Sequence, residues 1–245
     1  MMDFNSSASI SDQFTELLDA GMHRTRASQP GRDYLGASRL GASCERALQY
    51  EFAKAPIDHG RGLPGRMLRI FERGHVMEDC MVTWLRDAGF DVRTRKADGD
   101  QFGFSAADGR LKGHVDGVIV GGPEGFQYPA LWECKCLGQK SWRDLDKHKL
   151  AVSKPIYAAQ VAIYQAYLEL HEQPAIFTAI NADTMEIYTE LVPFDPALAQ
   201  RMSDRAVKVI TATEAGELLP RSFNDPTHFE CRMCAWQDRC WRNPT

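Results

Sequence analysis

The chain has 245 residues, 44% of them hydrophobic, and a formal net charge of -4. That is enough apolar material for one large domain, or a domain with appendages, that folds alone. The negative balance excludes a polyanion held by the overall field, so any nucleic acid would have to sit on a local basic surface. Met1 to Ser7 lack a basic and then apolar signal pattern, and nowhere do about 18 apolar residues run together. The chain is therefore expected to be cytoplasmic, with no membrane partner.

Residues 8 to 27 carry Ile10, Phe14, Leu17, Leu18 and Met22 at helical spacing, which predicts a packing helix closed by Pro30-Gly31. A short helix from about Cys44 to Phe52 follows, then Pro56 and the Gly60-Arg61-Gly62 loop. After Pro64 a longer helix uses Ile70, Val76, Met77, Trp84 and Leu85 as apolar positions, and Gly89 closes it. From Phe90 to about Cys136 the pattern turns to short runs of period two, broken at Asp98-Gly99-Asp100, Asp108-Gly109 and Gly121 to Gly125. This predicts a small antiparallel meander. A helix from Pro155 to about Leu170, strands near 175 to 183 and 186 to 193, and a helix near 196 to 216 complete the body, with no repeats. Two stretches could supply basic surface: Arg61, Arg66, Arg69 and Arg73, and then Lys140, Arg143, Lys147, Lys149 and Lys154. A solvated helix face is the alternative for each.

The chemistry concentrates in Gly113-His114-Val115-Asp116-Gly117 and Leu131-Trp132-Glu133-Cys134-Lys135-Cys136. Alternation along a strand puts Glu133 and Lys135 on one face and Trp132, Cys134 and Cys136 on the other, toward the interior. Pairing of 111 to 120 with 129 to 137 would bring Asp116 near Glu133, where both carboxylates could bind one hard divalent cation. Charged groups in apolar strands are costly to bury unless they pair or hold metal; a satisfied salt bridge is the alternative. Gln160 and Tyr164 stand at i and i+4 on one helix face, and Glu78 in Gly74-His75-Val76-Met77-Glu78 offers a further carboxylate.

In this order, a glycine-led helix motif, a strand Asp, a strand Glu-x-Lys and a helical Gln-x-x-x-Tyr, the set resembles the PD-(D/E)XK nuclease superfamily in its RecB-like branch. The resemblance implies an α/β (α+β) fold: a restriction-endonuclease-like core with a central mixed sheet flanked by helices. It implies that Asp116, Glu133 and the backbone carbonyl of Cys134 hold magnesium or manganese. Lys135 would position the attacking water and stabilise transition-state charge, and Gln160 and Tyr164 would orient substrate and active-site groups. Many cluster-bearing relatives have His where Glu78 stands, and phage-type recombination exonucleases have Glu. Glu78 is the expected third metal ligand, with His75, three residues earlier, as the alternative.

Seven cysteines in an intracellular chain suggest metal ligation rather than disulfides. Cys231, Cys234 and Cys240 have ligand spacing, and a fourth ligand could come from Cys44, Cys80, Cys134, Cys136 or His228. RecB-like nucleases with an iron-sulfur cluster, among them CRISPR-associated exonucleases and AddB-type helicase-nuclease subunits, carry one cysteine before the nuclease core and three after it. By that resemblance, which spans about residues 38 to 241, Cys44, Cys231, Cys234 and Cys240 hold a structural [4Fe-4S] cluster that staples the tail to the N-terminal helices. Four thiolates also suit zinc.

The expected organisation is N-terminal helices over 1–60, the nuclease core over 61–220 and a cluster-binding segment over 221–245. The expected function is a metal-dependent DNA exonuclease on single strands or duplex ends. The alternatives are a DNA-end binding or adaptation/recombination-complex subunit with weak or partner-dependent nuclease activity, and a structure-specific or restriction-like endonuclease. Polarity, a phage or CRISPR setting, and a homo-oligomer or nuclease-complex partners stay open.

Overall fold

The computed structural model describes residues 9–242. Its first helix, α1 (Ile10–Ala27), starts with Ser9 and Asp12 exchanging side-chain to backbone hydrogen bonds of 3.1 Å each, which satisfies two N–H groups the helix leaves open. A two-residue strand β1 (Leu35–Gly36), a single turn over Ala37–Arg39, α2 (Glu45–Phe52) and the long α3 (Gly65–Asp87) follow. Five strands come next: β2 (Asp91–Arg93), β3 (Gly103–Ala106), β4 (Leu111–His114), β5 (Gly117–Gly121) and β6 (Ala130–Leu137). Then come α4 (Gln139–Ser153), α5 (Pro155–Tyr167), β7 (Ala175–Asn181), β8 (Ile187–Val192), α6 (Pro196–Glu214) and two short helices, α7 (Phe229–Arg232) and α8 (Gln237–Arg242).

The strands form a five-stranded sheet ordered β2-β5-β6-β7-β8 and a three-stranded sheet ordered β1-β4-β3. In the larger sheet β6 and β7 run parallel and the other neighbours antiparallel. A parallel pair needs a crossover, and α4 with α5 supplies it. Every residue of β7 is buried, as is every residue of α5 from Ala158 to Gln165. A helix that is predominantly apolar and buried all round belongs inside the core, and α5 lies against one face of the sheet with Leu131, Phe177, Val209 and Leu48. The other face carries a second cluster of Trp132, Cys134, Ile119, Ile176 and Ile180 under Met81 and Val82 of α3.

The mixed sheet and flanking helices match the expected fold class, and five local expectations are corrected. The predicted single meander over 90 to 136 is divided, because β3 and β4 leave β2, β5 and β6 to pair with β1. The pairing expected between 111 to 120 and 129 to 137 is confined to Gly117–Ile119 against Ala130–Trp132. Helix α4 was not predicted, since its one-sided pattern of Trp142, Leu145 and Leu150 is broken at Lys149, whose φ of 65° lies in the left-handed region. Val76 and Trp84 of α3 point outward, and the helix buries Met81, Val82 and Leu68 together with Gly65. Similarly, no residue of α1 is buried: Ile10, Phe14, Leu17 and Leu18 are exposed, and Asp19 ties the helix to Arg69 of α3.

The turn before α2 presses directly on α5. A Cβ on Gly41 would stand 2.7 Å from the Ile156 Cα and 2.9 Å from the Ala159 Cβ, and backbone cannot swing aside as a side-chain tip can. Gly62 has open space around the same position. Overpacking of this kind costs about 1–3 kcal/mol, so Gly41→Ala should lower the melting temperature by several degrees in a thermal scan, while Gly62→Ala should leave it near the parent value.

Candidate active site

Strand β6 sits in the middle of the larger sheet, and its alternation sends Trp132 and Cys134 toward α3 and Glu133 and Lys135 toward α5. Asp116 lies where the chain leaves β4 in one sheet and enters β5 in the other, one residue before the Gly117–Trp132 register pair. Gly117 permits the close approach, since a Cβ there would meet the Trp132 ring at 3.0 Å. The Asp116 carboxylate accepts a 2.8 Å hydrogen bond from the Cys134 amide and stands 3.7 Å from the Lys135 ammonium. The same ammonium bonds Glu133 Oε1, which also accepts from the Gln160 amide. Glu133 is 0% exposed, and its Oε2 has no hydrogen-bond partner.

These contacts set the charges. Burial pushes the Glu133 carboxyl up to about 8, the negative charge of Asp116 adds to the rise, and Lys135 opposes it. Glu78, on α3, is raised to about 7, first by burial and then by Asp116, with Lys135 again opposing. Burial alone would lower the Lys135 ammonium, but Glu133 and Asp116 outweigh it and the net shift is upward. The lysine is therefore held protonated. Tyr164, also raised chiefly by burial, hydrogen-bonds Gln160, and Cys134 is pushed up to about 12 by burial, so its thiol stays protonated.

The structure thus gathers Asp116, Glu133, Lys135, Gln160 and Tyr164, with Glu78 close enough to feel the charges of Asp116 and Lys135. His75 is exposed. Gln160 and Tyr164 are both buried, so their reach is to Glu133 and to each other rather than to a substrate. Cys136, expected in the interior, is partly exposed. Among the described residues no three His, Cys, Asp or Glu side chains are close enough together to hold a metal ion as they stand. The sequence reading missed Tyr157, whose ring lies 5.4 Å from the Lys135 ammonium and stacks on Phe177; its place one turn before Gln160 was the available signal.

The two predicted basic stretches are only in part engaged within the protein, and Arg66, Lys140, Arg143 and Lys147 are exposed. Arg61 donates to the carbonyls of Arg232 and Cys234, Arg69 pairs with Asp19, Lys154 pairs with Asp144 at 2.9 Å and Lys149 covers the Tyr188 ring.

The C-terminal cysteines come back to the N-terminal helices. Arg46 of α2, 2% exposed, donates to the Leu219 carbonyl and approaches Cys240 Sγ at 3.8 Å. The Trp236 indole donates to the Ala55 carbonyl, and the Asp58 carboxylate accepts from the amides of Asp238 and Arg239. Cys44, Cys231, Cys234 and Cys240 are free and partly buried. Burial raises the Cys231 and Cys234 thiols, and Cys44 and Cys240 add to the rise of each. His228 is engaged elsewhere, capping α7 and stacking on Phe223 at 3.9 Å.

No curated protein matches the sequence. Among solved structures, the alkaline exonuclease LHK-Exo from Laribacter hongkongensis superposes with a TM-score of 0.52 at 16% identity, covering 82% of this chain and 94% of its own. LHK-Exo in complex with dAMP gives 0.51 over the same shares and at the same identity. At that identity the likeness is one of fold. The family itself is identified by sequence: the model of the PD-(D/E)XK nuclease superfamily matches residues 11–241, nearly the whole chain, and the protein belongs to that superfamily.

Proposed function

We propose that the chain is a divalent-metal-dependent DNA exonuclease of the RecB-like branch, hydrolysing phosphodiester bonds in single strands or at duplex ends. The observation that carries this reading is the buried contact of Glu133 with Lys135 and, beside it, Asp116, with one carboxylate oxygen left unpartnered. A carboxylate pair with a free buried oxygen suits a hard cation such as magnesium or manganese, which takes oxygen ligands and keeps several waters. Asp116 and Glu133 would hold it, with the Cys134 carbonyl and Glu78 as further oxygen donors. When bound, such a cation supplies positive charge to the phosphate and acidity to water. Lys135, protonated and anchored over Tyr157, adds a fixed positive charge where the phosphate gains negative charge in the displacement. Gln160 fixes the Glu133 carboxylate, and Tyr164 fixes Gln160. The name of LHK-Exo and its complex with dAMP support the exonuclease reading.

The test is a time course on end-labelled single-stranded and duplex DNA with magnesium, manganese or EDTA. Wild type should cleave only with metal. Lys135→Ala should lose about 100- to 1,000-fold in rate, the usual effect of deleting one transition-state charge partner, and Asp116→Ala should abolish cleavage. A folded wild type that binds DNA ends but cleaves under neither metal would instead support the binding-subunit alternative.

The raised carboxyls give the pH dependence. Glu133 and Glu78 keep protons up to about 8 and about 7 that an unfolded chain releases near 4.5. Their stabilising effect is present below about 4.5 and is lost as pH rises through those values. The metal-free protein should therefore melt at a lower temperature at pH 8.5 than at about pH 5. A cation must displace the same protons, so cleavage at limiting magnesium should climb from about pH 6 to about pH 8; a flat profile over that range contradicts the carboxylate ligand set.

In the same reading Cys44, Cys231, Cys234 and Cys240 hold a [4Fe-4S] cluster, with zinc as the alternative for four thiolates. The supporting observations are that the four are free, partly buried and electrostatically coupled, and that the Trp236 amide aims at Cys234 Sγ from 3.5 Å. Anaerobically purified protein should be brown and contain iron. Cys44→Ala should lose the colour and melt earlier; a coloured variant of unchanged stability would rule Cys44 out as a ligand.

A further inference from the structure

The three-stranded sheet has one face in the core and one in solvent, and the solvent face has an unusual charge. Leu35, Ala37 and Leu111 point inward, and Gly113 packs so tightly that a Cβ would meet the Phe104 and Tyr164 rings at 2.6 Å. The outward positions, by strand alternation and register, are Tyr34 and Gly36 beside Lys112 and His114, with Ser105 and Gly103 opposite them on β3. Two of these six residues are glycine. The space over Gly36 is taken by Arg32, whose guanidinium would lie 3.1 Å from an added Cβ, while a Cβ on Gly103 would meet the Gly113 carbonyl oxygen first and then the His114 ring at 3.0 Å.

Arg32 and Lys112 both approach the Tyr34 ring, at 5.9 and 5.1 Å from its centroid. Among the described residues neither forms an ion pair. The neighbouring cations are neutralised: Arg39 pairs with Glu51, and Arg110 pairs with Asp108 and Glu214. Two like charges drawn to one ring without a carboxylate repel each other, and an anion between them removes that repulsion. Lys112, His114 and Asp116 then follow one another at every second residue, so the cation pair is joined to the catalytic aspartate by a single run of backbone.

We propose that this sheet face is a phosphate clamp for the nucleic-acid strand being cut, with Arg32 and Lys112 gripping a phosphodiester, Tyr34 holding the two cations together, and the strand running past His114 to Asp116. The proposal rests on the nuclease reading above for the direction of the path, while the clamp is defined by its own residues. At roughly 3.3 Å of rise per residue, Lys112 is about 13 Å from Asp116. One pair of cations at one ring fits a single backbone, whereas a duplex would bring a second backbone for which the outward positions of this sheet offer no second pair.

The test uses full-length protein in EDTA, where binding proceeds without cleavage, and fluorescein-labelled oligodeoxythymidylate of about twelve nucleotides. The double variant Arg32→Ala/Lys112→Ala should bind about tenfold more weakly at low salt. Its plot of log affinity against log salt should be shallower by about 1.4, at about 0.7 per lost contact to a single strand. Tyr34→Phe should bind like wild type, and Tyr34→Leu should weaken binding at an unchanged melting temperature. With magnesium present, the double variant should raise KM for the long oligonucleotide and leave that for a dinucleotide unchanged, because the dinucleotide does not reach the clamp. Equal affinity and salt slope in the double variant, or an equal loss on the dinucleotide, would overturn the clamp. Should Lys135→Ala leave cleavage intact, the nuclease assignment fails while the binding measurements still decide whether the face grips nucleic acid.

Discussion

A fully buried carboxylate organises this molecule. Removing an ionised Glu133 from water would cost several kcal/mol, and the surroundings of β6 reduce that cost through the Lys135 ammonium, the Gln160 amide and a raised affinity for the proton. Each partner has its own structural requirement. Gln160 reaches Glu133 only because α5 lies inside the core, and α5 can lie there because Gly41 lets a turn come against its backbone and Gly113 lets a strand come against its Tyr164 ring. Lys135 is in turn anchored by Asp116 and the Tyr157 ring. Packing and charge are therefore one problem here: loosening α5 would withdraw the amide that makes the buried carboxylate tolerable.

Asp116 has a different kind of support. It belongs to neither sheet, sitting between β4 and β5, and is fixed by the Cys134 amide and by Gly117 against Trp132. A residue at such a junction turns its carboxylate toward β6 and has one neighbour strand, β4, whose outer surface is free to carry other side chains. The small sheet is then joined to the large one through the single chain segment from β4 into β5.

Residue type and period carried the site further than they carried the fold. Glu133 and Lys135 stand two apart, and strand alternation alone put them together; Gln160 and Tyr164 stand four apart, and helix geometry did the same. Asp116 was found because a glycine-rich segment separates it from Glu133, although the pairing that joins them is only three residues long. What local pattern could not convey was partner choice. Nothing in Gly103 to His114 distinguishes a strand that pairs with β5 from one that pairs with a two-residue strand near residue 35, because that decision is made by burial of Leu35 and Leu111 against a distant helix. Likewise Val76 and Trp84 have the spacing of a core stripe on α3, yet the helix is rotated so that Met81 and Val82 face the sheet. In α4 one residue of left-handed backbone interrupts the periodicity that would have revealed it.

The contacts between α2 and the tail also bear on the order in which the protein can be made. Arg46 is buried, and the groups that receive its guanidinium, the Leu219 carbonyl and Cys240, come more than 170 residues later. Gln49 repeats the arrangement, bonding the Glu217 carbonyl and the Leu219 amide through its side chain. During synthesis α2 would therefore bring an unmatched charge into any core formed early, and docking it waits until residues 217 to 240 have left the ribosome. The sheet can assemble first, but the N-terminal helices close over it only once residues 217 to 240 are available to receive them, so the fold is completed by a long-range contact rather than by the sheet alone.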